Sequence, residues 1–219
     1  MQSISTARSE SQILATNKVL KNTYALLAMT LIFSAATAGI SMSLNLPQFG
    51  LLTLVPYFIL LFLTTKFRDS SLGLVFVFML TGFMGLTLGP ILNAYMAMTN
   101  GSQLIMTALG GTGAIFLALS GYVLTSRKDF SFMGGFLMVG ILVAFLAGLG
   151  AFIFEMPVLS LAVSGMFILL MSGMILYQTS EIIHGGETNY IMATVSLYIS
   201  LYNMFLSLLQ ILGAFGGDD

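Results

Sequence analysis

From residue 24 onward the chain is a succession of long apolar runs, each interrupted by a brief polar interval. A helix that crosses the hydrocarbon of a bilayer needs about 20 apolar residues, because every backbone N–H and C=O must find its partner inside the segment. Seven stretches meet or approach that length: residues 24–46, 49–65, 72–92, 104–125, 130–154, 157–177 and 190–215. The second is short and holds Pro56, and the third ends near Gly89 and Pro90, where the missing proline N–H predicts a break or kink. The runs are continuously apolar rather than alternating in segments of about ten, which sets aside a transmembrane β-barrel. The pattern predicts an all-α membrane protein, a bundle of seven transmembrane helices.

The connections are short, and neither a linker nor an internal repeat divides the chain, so residues 24–215 read as one transmembrane domain. Residues 1–23 are mostly polar and show no strong helical period before Lys18, which predicts a flexible N-terminal tail; residues 216–219 form a short C-terminal one. The polar lead is too long for a cleaved signal peptide, so the N-terminus is expected to be retained.

Composition excludes several function classes. Of 219 residues 58% are hydrophobic and 7% charged, with a mean hydropathy of +1.01 and a net charge of −1. Soluble domains carry roughly 25% charged residues, so a water-soluble globule, a disordered chain and a basic nucleic-acid binder are all ruled out. The absence of cysteine removes disulfides, thiolate metal sites and cysteine nucleophiles. The charges that remain are arranged: Arg8, Lys18 and Lys21 precede the first run, Lys66 and Arg68 follow the second, and Arg127 and Lys128 follow the fourth. Lys and Arg are held on the cytoplasmic side during insertion. The opposite connections, residues 45–48, 93–103 and 155–156, hold no basic residue. With seven crossings this predicts an N-terminus in the cytoplasm and a C-terminus outside.

The last run differs in chemistry. Asn189, Ala193, Ser196, Ser200, Asn203, Ser207 and Gln210 recur at spacings of three and four, which puts them on one helical stripe. A polar stripe is costly against lipid, so the seventh helix is expected to be central. Its seam serves either as interhelical hydrogen-bond glue or as a hydrated path, and both readings remain open at this stage. Gly85 and Gly89, followed by Pro90, form a GxxxG pair suited to close helix packing within the chain; Gly110, Ala114 and Ala118 share a face, as do Ala144 and Gly148. The 16 methionines show no metal-ligand spacing.

Residues 177–187 hold several ionisable groups beside the membrane. Glu181 and His184 share the three-residue spacing of Glu-x-x-His ligands in di-iron bundles, but the chain has one histidine and a single such motif. His184 is instead expected to end an extension of the sixth helix, with Gly185 making the turn. No zinc-protease motif, nucleophile elbow, phosphate loop or dinucleotide fingerprint is present. The chain reads as a non-enzyme without cofactor or metal.

One stretch carries a resemblance. Tyr-Gln-Thr-Ser-Glu-Ile-Ile-His-Gly-Gly-Glu-Thr-Asn-Tyr-Ile at 177–191 and Ser-Leu-Tyr-Ile-Ser-Leu-Tyr-Asn-Met-Phe-Leu-Ser-Leu-Leu at 196–209 resemble the Bax-inhibitor (transmembrane Bax-inhibitor-motif) family, in particular its bacterial YccA-like branch. Residues 18–24, 81–93 and 122–135 support the match, which runs almost end to end. The resemblance implies a seven-helix bundle with the last helix central. It implies a bacterial inner-membrane protein that modulates FtsH, an ATP-dependent membrane protease, as a slowly processed partner, with FtsH and its membrane regulators as partners. A flexible tail would give the protease its grip while a tightly packed bundle resists extraction. Other members are pH-sensitive calcium leaks that use two acidic residues, whose positions here are Gln178 and Ser200. A neutral amide and a hydroxyl offer neither charge nor titration near neutral pH, so a leak through that pair is not expected. Glu181, one turn from Gln178, is expected to be a solvated carboxylate at the membrane edge. The candidate seam is therefore Gln178, Glu181, Ser196, Ser200, Asn203 and Ser207.

Overall fold

The computed structural model describes residues 2–216, with side chains from Leu14 onward; Met1 and most of the expected C-terminal tail, residues 217–219, lie outside the described residues. Seven α-helices follow one another: α1 Gln2–Ser43, α2 Leu54–Lys66, α3 Ser71–Met96, α4 Gly101–Ser126, α5 Gly134–Ile153, α6 Pro157–His184 and α7 Tyr190–Gly216. Short 3-10 turns, Gly50–Thr53 and Ser131–Met133, lead into α2 and α5, and no strand occurs among the described residues. Six of the helices are long and apolar enough to cross a membrane; α2 with its leading turn, Gly50–Lys66, is shorter.

Two elements differ from the sequence expectation. The segment expected to lack helical order before Lys18 is helical from Gln2, because adding residues to an existing helix avoids the nucleation penalty. At 42 residues α1 is about 63 Å long, roughly twice the hydrocarbon thickness. It therefore runs well past one face of any bilayer it crosses. α3 continues without a break through Pro90 to Met96, for a reason that lies in its contact with α1. α6, by contrast, extends to His184 as its sequence suggests. Gly185 takes the left-handed conformation (φ 79°) that an L side chain resists, and the N–H groups of Gly186 and Glu187 both close on the Glu181 carbonyl, at 2.8 and 3.1 Å.

α7 is packed against α1, α3, α4 and α6 and buries Leu197, Tyr198, Met204 and Leu209 completely. α2 lies on α3, and α5 on α6. The outer faces of these peripheral helices are apolar: Phe136, Val139, Phe152 and Leu169 are each more than half exposed. An apolar surface of that extent is stable in lipid and not in water.

The contact of α1 with α3 is the most extensive among the described helices. A methyl group on Gly85 would collide with the Ser34 carbonyl and the Thr37 hydroxyl, and one on Gly89 would collide with Ser41. Glycine at these two positions lets the backbones meet. Pro90 deprives the Leu86 carbonyl of its helical N–H donor, and the Ser41 hydroxyl of α1 donates to that carbonyl at 2.7 Å. The carbonyl left without a donor is thus satisfied from the neighbouring helix, and α3 has no need to break.

Candidate functional site

The polar stripe of α7 divides into three parts. Asn189 is not on the helix but caps it, its side-chain oxygen accepting from the N–H groups of Ile191 and Met192 at 3.0 and 3.1 Å. Its amide donates to the Arg68 carbonyl and the Asp69 carboxylate, at 3.1 and 2.8 Å, tying the start of α7 to the α2–α3 connection. At the far end Gln210 pairs with α6: its amide donates to Ser160 at 2.5 Å and its oxygen accepts from Ser164 at 2.6 Å. Between these, Ser196, Ser200 and Asn203 face a chamber of about 720 Å³. Ser207 is buried.

That chamber lies between α2 and α5, with α3, α6 and α7 behind it. Its lining is mostly apolar, including Met84, Met138, Met171 and Met174, which sequence spacing does not bring together. Thr87, Tyr57 and Tyr202 add hydroxyls, and among the described residues no charged side chain lines it. Ser200 donates to the Ser196 carbonyl at 2.9 Å and the Asn203 amide to the Ile199 carbonyl at 2.8 Å, both along their own helix. Gln178 is buried in α6 but is not part of the lining, so Gln178 and Ser200 do not share this chamber. The Glu181 carboxylate lies at the end of α6 against Gly186, where any side chain would strike it.

Two tyrosines that sequence spacing leaves unmarked organise the centre. Tyr198 donates to the Thr81 carbonyl at 3.3 Å and pairs with the Ser34 hydroxyl at 2.5 Å, joining α7 to α3 and α1. Tyr202 meets the Thr87 hydroxyl at 2.9 Å, and Thr87 in turn donates to the Met84 carbonyl at 2.7 Å. Ser34, Thr37 and Ser41 at spacings of three and four on the first run are the signal that could have found this interface. A second buried hydroxyl group lies nearer the start of α7: Tyr24 meets Ser120, and Thr194 donates to the carbonyls of Thr23 and Tyr190 at 3.2 and 2.8 Å.

The α4–α5 connection docks on the end of α6. The Phe130 N–H donates to the Ser180 hydroxyl at 2.9 Å, and His184 reaches the Ser180 carbonyl through Nδ1 at 2.9 Å and the Arg127 carbonyl through Nε2 at 3.2 Å. The Ser131 backbone N–H and hydroxyl bond to Asp129 and hold its carboxyl below the usual carboxylate range. The Tyr122 hydroxyl beside Lys128 raises the lysine above its ordinary value. Among the described residues no three His, Cys, Asp or Glu side chains converge on a point where they would hold a metal ion. The chemistry available in the bundle is that of uncharged hydrogen bonds and apolar contact.

Comparison with known proteins adds the family context. The sequence model of the family described as inhibitor of apoptosis-promoting Bax1 matches residues 16–217. The chain is 53% identical over 211 residues to the modulator of FtsH protease YccA of Escherichia coli K12, covering 96% of each protein. It is equally similar to a protein of Escherichia coli O6:H1 named inner membrane protein YccA. An uncharacterized protein of Pseudomonas aeruginosa, PA2604, is 54% identical over 202 residues, which are 92% of this chain and 91% of that protein.

Proposed function

The chain belongs to the Bax inhibitor family, and from that membership we propose that it modulates an FtsH-type ATP-dependent protease, restraining it as a slowly processed partner. It is a multi-pass protein of the bacterial inner membrane. The observation that carries the reading is the 53% identity, along 96% of both chains, to the modulator of FtsH protease YccA. In this reading α2 completes seven crossings, the N-terminus is cytoplasmic and the C-terminus periplasmic. Support comes from the basic residues: Arg8, Lys18 and Lys21 precede the apolar run of α1, Lys66 and Arg68 end and follow α2, and Arg127 and Lys128 follow α4. The surplus length of α1 is consistent with residues 1–23 standing in the cytoplasm, residues 24–215 forming the membrane domain and 216–219 the outer end. A protease that pulls needs an end to grip, and the N-terminal segment supplies one. The glycine-mediated α1–α3 contact and the polar pins at both ends of α7 oppose extraction. A cation leak is not favoured, since Gln178 and Ser200 provide no charge for a hard ion.

The test is the turnover of a second membrane substrate of the protease in cells that overproduce the full chain or a form lacking residues 2–10. The full chain should slow that turnover and co-purify with the protease, and the truncated form should lose most of the effect and live longer. Turnover unaffected by the full chain overturns the function; equal behaviour of the two forms overturns the role of the N-terminal segment.

A further inference from the structure

We propose that the chamber between α2 and α5 is a binding site for a neutral single-chain amphiphile of the monoacylglycerol type, taken laterally from the bilayer. The reading does not depend on the protease function. At about 720 Å³ the chamber falls inside the roughly 300–1,000 Å³ range of small-molecule sites. Its stretch of α7 from Ser196 to Leu206 spans about 15 Å, close to half the hydrocarbon thickness. Its lining is mostly apolar and rich in methionine from α3, α5 and α6, a side chain that adapts to an irregular apolar chain. The lining also carries the hydroxyls of Ser196 on α7 and Tyr57 on α2, neither of which makes a side-chain hydrogen bond among the described residues. The occupant must therefore bring apolar length and a few hydrogen-bonding groups.

Charge and access select the class further. Among the described residues no charged side chain lines the chamber, so an ionised head drawn into it would lose its hydration without compensation. An uncharged head of hydroxyl and ester groups loses little and meets Ser196, Tyr57 and Asn203. The mouth lies in the membrane: α2 packs on α3 and α5 on α6, and the rim residues Met138 and Leu142 are 74% and 57% exposed. At the end formed by the segment leading into α2 the Phe152 ring stands beside Gly50, which narrows access there. Tyr202 forms the inner wall and also lines a second cavity of about 440 Å³ between α1 and α4. Its bond to Thr87 holds that partition in place and limits the length of chain accepted.

The experiment uses the full chain in nanodiscs with a monoacylglycerol carrying a photoreactive group at the end of its acyl chain. Labelled peptides should come from the α6 and α7 walls, should be displaced by unlabelled monoacylglycerol, and should fall about tenfold in Leu142→Trp, which blocks the mouth from a lipid-facing position. Ser196→Ala, a change too small to threaten folding, should weaken binding about fivefold. Tyr202→Ala should shift preference from medium to long chains by opening the second cavity. Labelling no denser in the chamber than on Leu169, or indifferent to Leu142→Trp, overturns the proposal. Equal binding of a lysophosphatidic acid overturns the neutral-head assignment, and cross-linking of the α2–α5 slot to a second polypeptide overturns the lipid occupant.

Discussion

The Ser41 hydroxyl of α1 stands 2.7 Å from the Leu86 carbonyl of α3, the acceptor that Pro90 leaves without a helical donor. In hydrocarbon such a carbonyl has no water to turn to. Ser41→Ala should lower the free energy of unfolding by about 1 kcal/mol. In a Pro90→Ala background, where residue 90 regains its N–H, the same substitution should cost much less. A double-mutant cycle in a mixed-micelle unfolding assay reads the difference, and additive losses would refute the compensation.

The glycines of the α1–α3 contact should be unequal to those elsewhere. Gly85→Ala drives a methyl into the Ser34 backbone carbonyl and should cost about 2 kcal/mol. Gly110 and Gly113 of α4 have no atom within 4 Å of an added methyl, and alanine there should be neutral or stabilising by up to about 1 kcal/mol through helix propensity. Thermal melts in detergent compare the three variants directly.

Asn189→Ala should detach the start of α7 from the α2–α3 connection as well as uncapping the helix. A cap alone is worth about 1 kcal/mol. Hydrogen exchange should accelerate at Ile191 and Met192, whose N–H groups it caps, and at residues 68–70 across the interface.

The α4–α5 connection should loosen in acid. Ser131 holds the Asp129 carboxyl below its ordinary value of 3.8. The ionised form is therefore the one that the fold favours, its contribution is complete above the unfolded value, and it is lost as pH falls through the lowered one. Limited proteolysis at residues 127–133 should rise below about pH 4 in the parent chain, and should be high and independent of pH in that range for Asp129→Asn.

The helices were legible because a membrane span announces itself by length and hydropathy, and α6 ends where Gly185 puts it. The interior of the bundle was less so. Spacing on α7 assigns Asn189, Ser200 and Gln210 to one stripe, since periodicity reports the side of a helix a residue occupies and not what faces it there. The three meet a loop, a chamber and a serine pair on α6. Tyr198 and Tyr202 read as ordinary aromatic bulk, and only the approach of Ser34 and Thr87 turns their hydroxyls into anchors. Of the break or kink expected at Pro90, the break is absent for the same reason: a local rule about one helix is answered by a donor from another, 45 residues away in sequence.

The α1–α3 contact also sets how the molecule bears load. Tension applied at the leading end of α1 runs parallel to its long axis, so the Ser34–Gly85 and Ser41–Gly89 meshing is strained in shear, with both teeth resisting together rather than peeling in turn. The amino end is then the stiff direction of the molecule, and single-molecule pulling from it should give one high-force rupture of α1. Pulling from the opposite terminus should instead unzip α7 from its Gln210 clasp at a lower force and in steps.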